Sequence, residues 1–417
     1  MWVLKDGENL PNQAGSRKMR TWLLADSLRA RGCDVTWWAT TFSHQRKELT
    51  CNDDAEFQIA DRFRLKLLHC GGYSRNVSLA RFRHHRRFSR KLVTAIASEQ
   101  RPDVIVCSFP IIESAWRLTR WANENNIPIV VDVRDYWPDL YVDRAPSHLK
   151  PLIRLAFHRE FRIAAETFRR ADSLTGISHG ILDWACSKAN RGRTNSDRVF
   201  YTAYPDPKPA DGACDEKPAY LQGRNFEVVA SFAGVFGGSY NLDAVCDVAQ
   251  RLQDLGDHRL LFVLAGDGEK APGIRRRCER LNNVVLPGWL SGNELNGLMA
   301  HSDIALIPCD SKPDTMPNKF YESLAQGLPL VSSLVGEAEE WIRREQVGLS
   351  YRSLDTGELQ RILRFLTDHP MERQKLGLRG RRLYERCFRD SDIYSSYANH
   401  VLELASRSQP KVMSWAS

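Results

Sequence analysis

Apolar positions along the first half of the chain follow two alternating periods. Short runs such as "WVLK" (Trp2–Lys5), "DVTWWAT", "PDVIVCSFP", "PIVVDVRD" and "SLTGIS" are apolar on both faces and read as buried strands. Between them apolar residues recur every three or four positions. Met19, Leu23, Leu24 and Leu28 share one face of a helix predicted over Arg17–Arg31. "RKLVTAIASEQ", "IIESAWRLTRWANENN", a segment from about Leu149 to Arg170 and one from about His179 read the same way. Strands separated by helices of this length build a parallel sheet with helices on both faces. The proline-rich, aperiodic stretch Tyr204–Asn225 then reads as a linker. A second alternating series follows: "FEVVASFAG", a helix from about Asn241, "LLFVLAGDG", a helix, "NVVLPG", "ELNGLMAHS", "IALIP" and "LPLVSS". The expected class is therefore α/β, with two Rossmann-like doubly wound domains. Residues 1–205 form the first, 206–225 the linker and 226–387 the second, while 388–417 form a C-terminal helix packing back toward the first. Ligands of such domains sit at the carboxyl ends of the strands, so the two are expected to face a central cleft.

Composition adds a class and a charge asymmetry. A chain that is 42% apolar and 26% charged is globular, and 417 residues exceed one ordinary core. Ten cysteines without a Cys-x-x-Cys pair are expected to be reduced packing thiols, as in cytoplasmic proteins. The start "MWVLK" does not resemble a signal peptide, and no apolar run reaches the length needed to span a bilayer. The net charge of +8 is unevenly placed, because Met1–Pro205 holds 33 Lys and Arg against 22 Asp and Glu. An anionic partner of the first domain is the expectation; a basic surface without a partner is the alternative. The run "RFRHHRRFSRKLVTAI" (Arg81–Ile96) repeats Phe88, Leu92 and Ile96 every fourth position beside a cationic flank. Either that stripe and its arginines meet an anionic membrane, or the stripe faces the core. "KPLIRLAFHREFRIAAETFRR" (Lys150–Arg170) is a second basic run. His84 and His85 have no metal-ligand spacing and are expected to be solvated.

Candidate chemistry concentrates in "DTMPNKFYESLAQGLPLVSS" (Asp314–Ser333). "PNKFYESLAQ" predicts a helix with Pro317 at its first position and Gly327 as its left-handed cap. Asn318 and Glu322 share one face, and Phe320 and Leu324 the other. A helix start beside Lys319 favours phosphate; solvated charges are the alternative.

The acids Asp314 and Glu322, eight positions apart and followed by "SLAQGLPLVSSLVGEAEEWI", resemble the signature of the family 4 glycosyltransferases. "SFAGVFGGSYNLDAV", "FVLAGDGEK", "NVVLPGWLSGNELNGLMAHSDIALIP", "PIVVDVRDYWPD" and "NQAGSRKMR" extend the resemblance over most of the chain in the family's order. It implies the GT-B fold and a retaining, metal-independent transfer from a nucleoside diphosphate sugar, without a cofactor. "VRDYWP" with "PNKFYE" resembles the subgroup that builds bacterial O-antigen (lipopolysaccharide), capsule or exopolysaccharide. The implied acceptor is then a glycan or lipid-linked glycan, handled at the inner face of the cytoplasmic membrane by a peripherally bound cytoplasmic enzyme.

The resemblance also assigns residues. Glu322 binds the ribose hydroxyls, and Asp314 the hydroxyls of the transferred sugar, with Asp where the family more often has Glu. Gly237 and Gly238 let the backbone approach the diphosphate. Relatives often place an Arg and a Lys just beyond, which "GGSYNLDAV" lacks, so Lys319, with Arg134 or Arg17, takes that charge. Asn318 lies at the start of the same helix, and Pro287, Gly288 and Trp289 hold the nucleobase. Gly15 forms the turn near donor and acceptor. Arg134 and Asp135 stand where relatives often carry a His: Asp135 orients or deprotonates the acceptor hydroxyl, and Arg134 holds phosphate. A buried Arg–Asp pair fixing the strand end is the alternative. "DSD" (Asp390–Asp392) is read as a helix start rather than a metal site. Rival functions are a nucleotide-sugar 2-epimerase of similar fold, and a basic nucleic-acid-binding protein, for which no recognisable module is present.

Overall fold

The computed structural model describes the chain except residues 14, 15, 17, 45, 75–77, 144, 207–215, 311–315 and 408–417. The chain divides into two compact units, Met1–Tyr201 with Ser391–Ser417, and Thr202–Asp390.

Unit 1 is built on an eight-stranded sheet. From one edge its strands are Arg198–Val199, Ser173–Gly176, Ile129–Val133, Ile105–Phe109, Trp2–Leu4, Val35–Thr40, Phe63–Leu68 and Ala55–Ala60. All neighbours pair in parallel except the last two, which are antiparallel. The central strands are buried on both faces, which explains their unbroken apolar runs. The helices of this unit are α1 (Arg20–Arg29), α2 (Leu79–Ile96), α3 (Ile112–Glu124), α4 (Asp139–Asp143), α5 (Lys150–Ala156), α6 (His158–Arg170) and α7 (His179–Lys188). The predicted Leu149–Arg170 helix is thus two helices, parted at Phe157. In α2 the stripe Phe88, Leu92 and Ile96 is wholly buried and belongs to the core. It is not a membrane face. His84 is a second correction: only 2% exposed, its Nδ1 lies 2.9 Å from the Gly71 carbonyl oxygen. Its position one turn before Phe88 puts it on the inward face, and the basic run around it concealed that.

Unit 2 carries a six-stranded, wholly parallel sheet. Its order is Val284–Gly288, Leu260–Ala265, Val228–Ala233, Ile304–Ile307, Leu330–Ser332 and Gly348–Ser350. Numbered along the unit this is 3-2-1-4-5-6, the doubly wound order, with its reversal between Val228–Ala233 and Ile304–Ile307. The helices are α8 (Leu242–Asp254), α9 (Ala271–Cys278), α10 (Gly292–Ala300), α11 (Asn318–Ala325), α12 (Glu337–Glu345), α13 (Thr356–Asp368) and α14 (Pro370–Leu383). The last helix, α15 (Asp390–Arg407), belongs to unit 1 from Ser391 onward. There Tyr397 Oη lies 2.9 Å from Thr175 Oγ1, and Ser173 Oγ lies 2.9 Å from His400 Nε2.

Candidate active site

Strand order places a crevice in unit 2 at the carboxyl ends of Val228–Ala233 and Ile304–Ile307. The loop leaving the first strand crosses to the second: the Asp310 amide donates to Ser239 O at 2.9 Å and the Asn241 amide to Pro308 O at 2.7 Å. The same loop rests on the Gly266–Gly268 turn, where the Phe236 amide donates to Asp267 O at 2.8 Å. A Cβ on Gly266 would lie 1.8 Å from the Gly234 carbonyl oxygen, so only glycine allows these turns to nest.

Lys319 reaches into this loop from the second position of α11. Its Nζ lies 3.2 Å from Tyr240 Oη and stands over the rings of Tyr240 at 4.4 Å and Phe232 at 5.1 Å. A Cβ on Gly234 would come within 2.3 Å of that Nζ, so this glycine makes the room for it. Pro317 is the residue before the helix rather than its first, and no described side chain caps the first turn. Gly327 has φ +68° and ends the helix as expected. Asn318 is part-buried at the first helical position. Glu322 is only 5% exposed, because α11 is enclosed on nearly every side. It is therefore not a solvated surface carboxylate.

Gly237 and Gly238 lie on the loop itself, and a Cβ added to Gly238 would meet no atom within 4 Å. Pro287 and Gly288 end the edge strand of the sheet. Gly288 has φ +85° and its carbonyl accepts the Gly266 amide at 2.7 Å, while Trp289 is 63% exposed. The structure thus brings Gly237, Gly238, Asn318, Lys319 and Glu322 to one switch point, with Gly288 tied to the neighbouring turn. Asp314 lies outside the described residues, as do Gly15 and Arg17.

Unit 1 treats its charges differently. Arg134 follows the strand Ile129–Val133, and each terminal nitrogen of its side chain has a partner. Nε donates to Asp132 at 2.6 Å, Nη1 to Glu8, and Nη2 to Thr21 Oγ1 at 3.0 Å. Asp132 is fully buried and also accepts from Arg20 Nε at 3.0 Å, Arg20 Nη2 at 2.8 Å and Thr175 Oγ1 at 2.9 Å. Burial alone would raise the Asp132 carboxyl, but the two guanidiniums hold it far below the usual carboxylate range. The part-buried Lys5 is lowered, first by burial and then by Arg134. Asp135 accepts from the Tyr136 amide at 2.9 Å and from Trp137 Nε1 at 3.0 Å. The network centred on Asp132, Arg20 and Glu8 escaped the motif reading. Its signal was an aspartate inside the apolar run "PIVVDV", since a charge in a buried strand requires partners.

Beside this network a small cavity of about 40 Å³ lies where the strand Ile105–Phe109 ends at Pro110. Arg81, His85 and Arg86 of α2 line it with Glu113, Trp137 and Tyr141. The Trp137 and Tyr141 rings meet at 4.1 Å. His85 is held down to about 3 by burial and by Arg81, so it lines the cavity as a neutral ring near pH 7. Among the described residues, no group of three or more His, Cys, Asp or Glu is arranged to hold a metal ion.

Comparisons with known proteins match both units. Residues 18–192 match the model of the glycosyl transferase 4-like domain, and residues 227–368 that of the glycosyl transferases group 1. No curated protein matches the chain in sequence. Solved structures share its fold at low identity. Sucrose-phosphate synthase from Thermosynechococcus elongatus has a TM-score of 0.75 at 14% identity, covering 97% of this chain and 99% of that one. Anabaena HepE in complex with UDP has 0.67 at 14%, covering 96% and 99%. WaaG, a glycosyltransferase involved in lipopolysaccharide biosynthesis, has 0.65 at 14%, also covering 96% and 99%. With both domain models spanning most of the chain and two Rossmann-like sheets beneath them, this chain belongs to the glycosyltransferases of the GT-B class.

Proposed function

We propose that the enzyme transfers a sugar, with retention of anomeric configuration, from a nucleoside diphosphate donor to a hydroxyl of a lipid-linked bacterial surface glycan. The observation that carries this reading is the switch point of unit 2, where Lys319 is packed into the Gly234 loop one turn ahead of the buried Glu322. A cation at an uncapped helix start favours a diphosphate. A carboxylate one turn behind it suits two ribose hydroxyls. Gly237 and Gly238 then leave room for phosphate oxygens, and Pro287, Gly288 and Trp289 frame the base. HepE is described in complex with UDP, which favours uridine as the first base to test. The epimerase reading is not favoured, because both domain models are of glycosyltransferases.

On the acceptor side, Asp135 orients the incoming hydroxyl, and Arg134, bound to Asp132 and Glu8, fixes the loop that carries it. Asp314 contacts the transferred sugar. The donor's leaving phosphate takes the acceptor proton as the new glycosidic bond forms on the face the phosphate leaves. Lys319 and the α11 amides stabilise the phosphate charge without a metal. The role of WaaG in lipopolysaccharide biosynthesis and the basic first half favour an acceptor presented at an anionic inner-membrane surface.

Calorimetric titration with UDP, GDP and dTDP tests the donor half. One nucleoside diphosphate should bind with micromolar affinity in the presence of EDTA, and Asp314→Asn should leave that affinity intact while lowering turnover. Failure of all three to bind would overturn the reading.

A further inference from the structure

Unit 1 leaves a row of leucines in water that its core does not use. None of the seven residues of α5 is buried. Leu152 and Leu155 are 61% and 73% exposed, Leu149 just ahead of them is 39% exposed, and Leu79, opening α2, is 73% exposed. The two segments belong to one neighbourhood. Phe82, one turn after Leu79, has its ring centroid 5.7 Å from that of Phe157, the residue that follows α5. Tyr141 stacks on the same Phe157 at 4.2 Å and braces the end of the helix from beneath. At 100° per residue, Leu149, Leu152 and Leu155 span one arc of α5 while Lys150 and Arg154 lie on the other side. Arg154 stands 5.6 Å from the Phe161 ring. Neither Ser147–Ala156 nor Leu79–Lys91 contains an acidic residue, whereas together they hold eight Lys and Arg. Contiguous exposed leucine rimmed by cation is the pattern of a helix lying in a membrane interface.

We propose that α5 with the first turn of α2 is the membrane-docking face of this enzyme. Its leucines enter the acyl boundary of an anionic bilayer, while Lys150, Arg154 and the exposed Arg83 and Arg87 meet lipid phosphates. The occupant is a lipid surface because the two segments themselves carry cations and no acid, the nearest acids, Glu113 and Glu160, being paired with Arg86; a protein partner would need a matching acidic face, and a second copy of this surface would oppose like charges. The inference rests on the proposed membrane-presented acceptor and names the element that reaches it. It also moves the contact away from the Phe88–Leu92–Ile96 stripe, which is core.

The test is flotation of the full chain with vesicles of phosphatidylcholine alone or with phosphatidylglycerol. Wild type should float with the anionic vesicles, and less so in high salt. Leu152→Ser with Leu155→Ser should lower the partition coefficient about a hundredfold, since each leucine withdrawn from lipid costs roughly a factor of ten. Both positions are exposed, so the melting temperature and UDP titration of this variant should match wild type. Leu79→Ser should give a smaller loss in the same direction. Equal flotation of the double variant and wild type overturns the proposal. So does a wild-type dimer that the double variant converts to monomer, which would mark a self-association face. Loss of UDP binding in wild type would instead sink the donor assignment and leave the flotation result standing.

Discussion

Both units are built on a largely parallel sheet, and they use its strand ends in opposite ways. At the switch point of unit 2 the charged residue is a lysine held by aromatic rings, and the surrounding loop is glycine. At the strand ends of unit 1 the charges are acids and guanidiniums bonded to each other, with Asp132 and Arg20 out of water. In the proposed assignment unit 2 thus keeps a cation and open backbone for a ligand, while unit 1 fixes its own geometry. A site that must accept and release a charged ligand at every turnover cannot satisfy all its charges internally.

The largest expected effect breaks the fixed network. Asp132→Ala removes the acid between Arg20 and Arg134, leaving the buried Arg20 without its carboxylate and Arg134 with Glu8 alone, which costs roughly 3–5 kcal/mol of folding stability. Urea denaturation should show the loss in unit 1, and a variant as stable as wild type would mean the network does not hold the fold.

Glu322→Ala should act on binding instead. Loss of charge-assisted bonds of about 1.5–3 kcal/mol each predicts a drop of tenfold or more in nucleoside diphosphate affinity. Calorimetry on the folded variant checks it; unchanged affinity removes Glu322 from the donor site.

Acid should separate the units further. His44, His85 and His400 all belong to unit 1 and are held below their ordinary value, at about 4, about 3 and about 4, chiefly by burial. With the folded pKa depressed, the unfolded chain binds more protons between pH 6.5 and 4. Stability is thus fully present above 6.5 and falls as pH drops through that window. His85 alone should account for ~1–2 kcal/mol by pH 5, discounted for its partial exposure. Chemical denaturation at pH 7 and pH 5 should show the difference shrinking in His85→Gln.

The smallest effect concerns metal. If Lys319 and the α11 amides carry the diphosphate charge, turnover should be unchanged by EDTA, and rescue of a chelated enzyme by magnesium would overturn that division of labour.

The alternation of buried strands and amphipathic helices was legible in the sequence, because a parallel sheet covered on both faces leaves apolar runs that periodicity detects. So was the glycine-framed Lys319–Glu322 segment, since a helix start, its cap and its spacing are local properties. Tertiary structure alone decided which side of a helix met the core. The arginines of α2 suggested a surface helix, yet Phe88, Leu92 and His84 face inward, while the leucines of α5, apolar by sequence, stay in water. Only the fold could also join Glu8, Arg20, Asp132 and Arg134, which lie up to 126 residues apart. Charge pairing in a buried site depends on which strands become neighbours, and hydrophobic pattern carries no information about that.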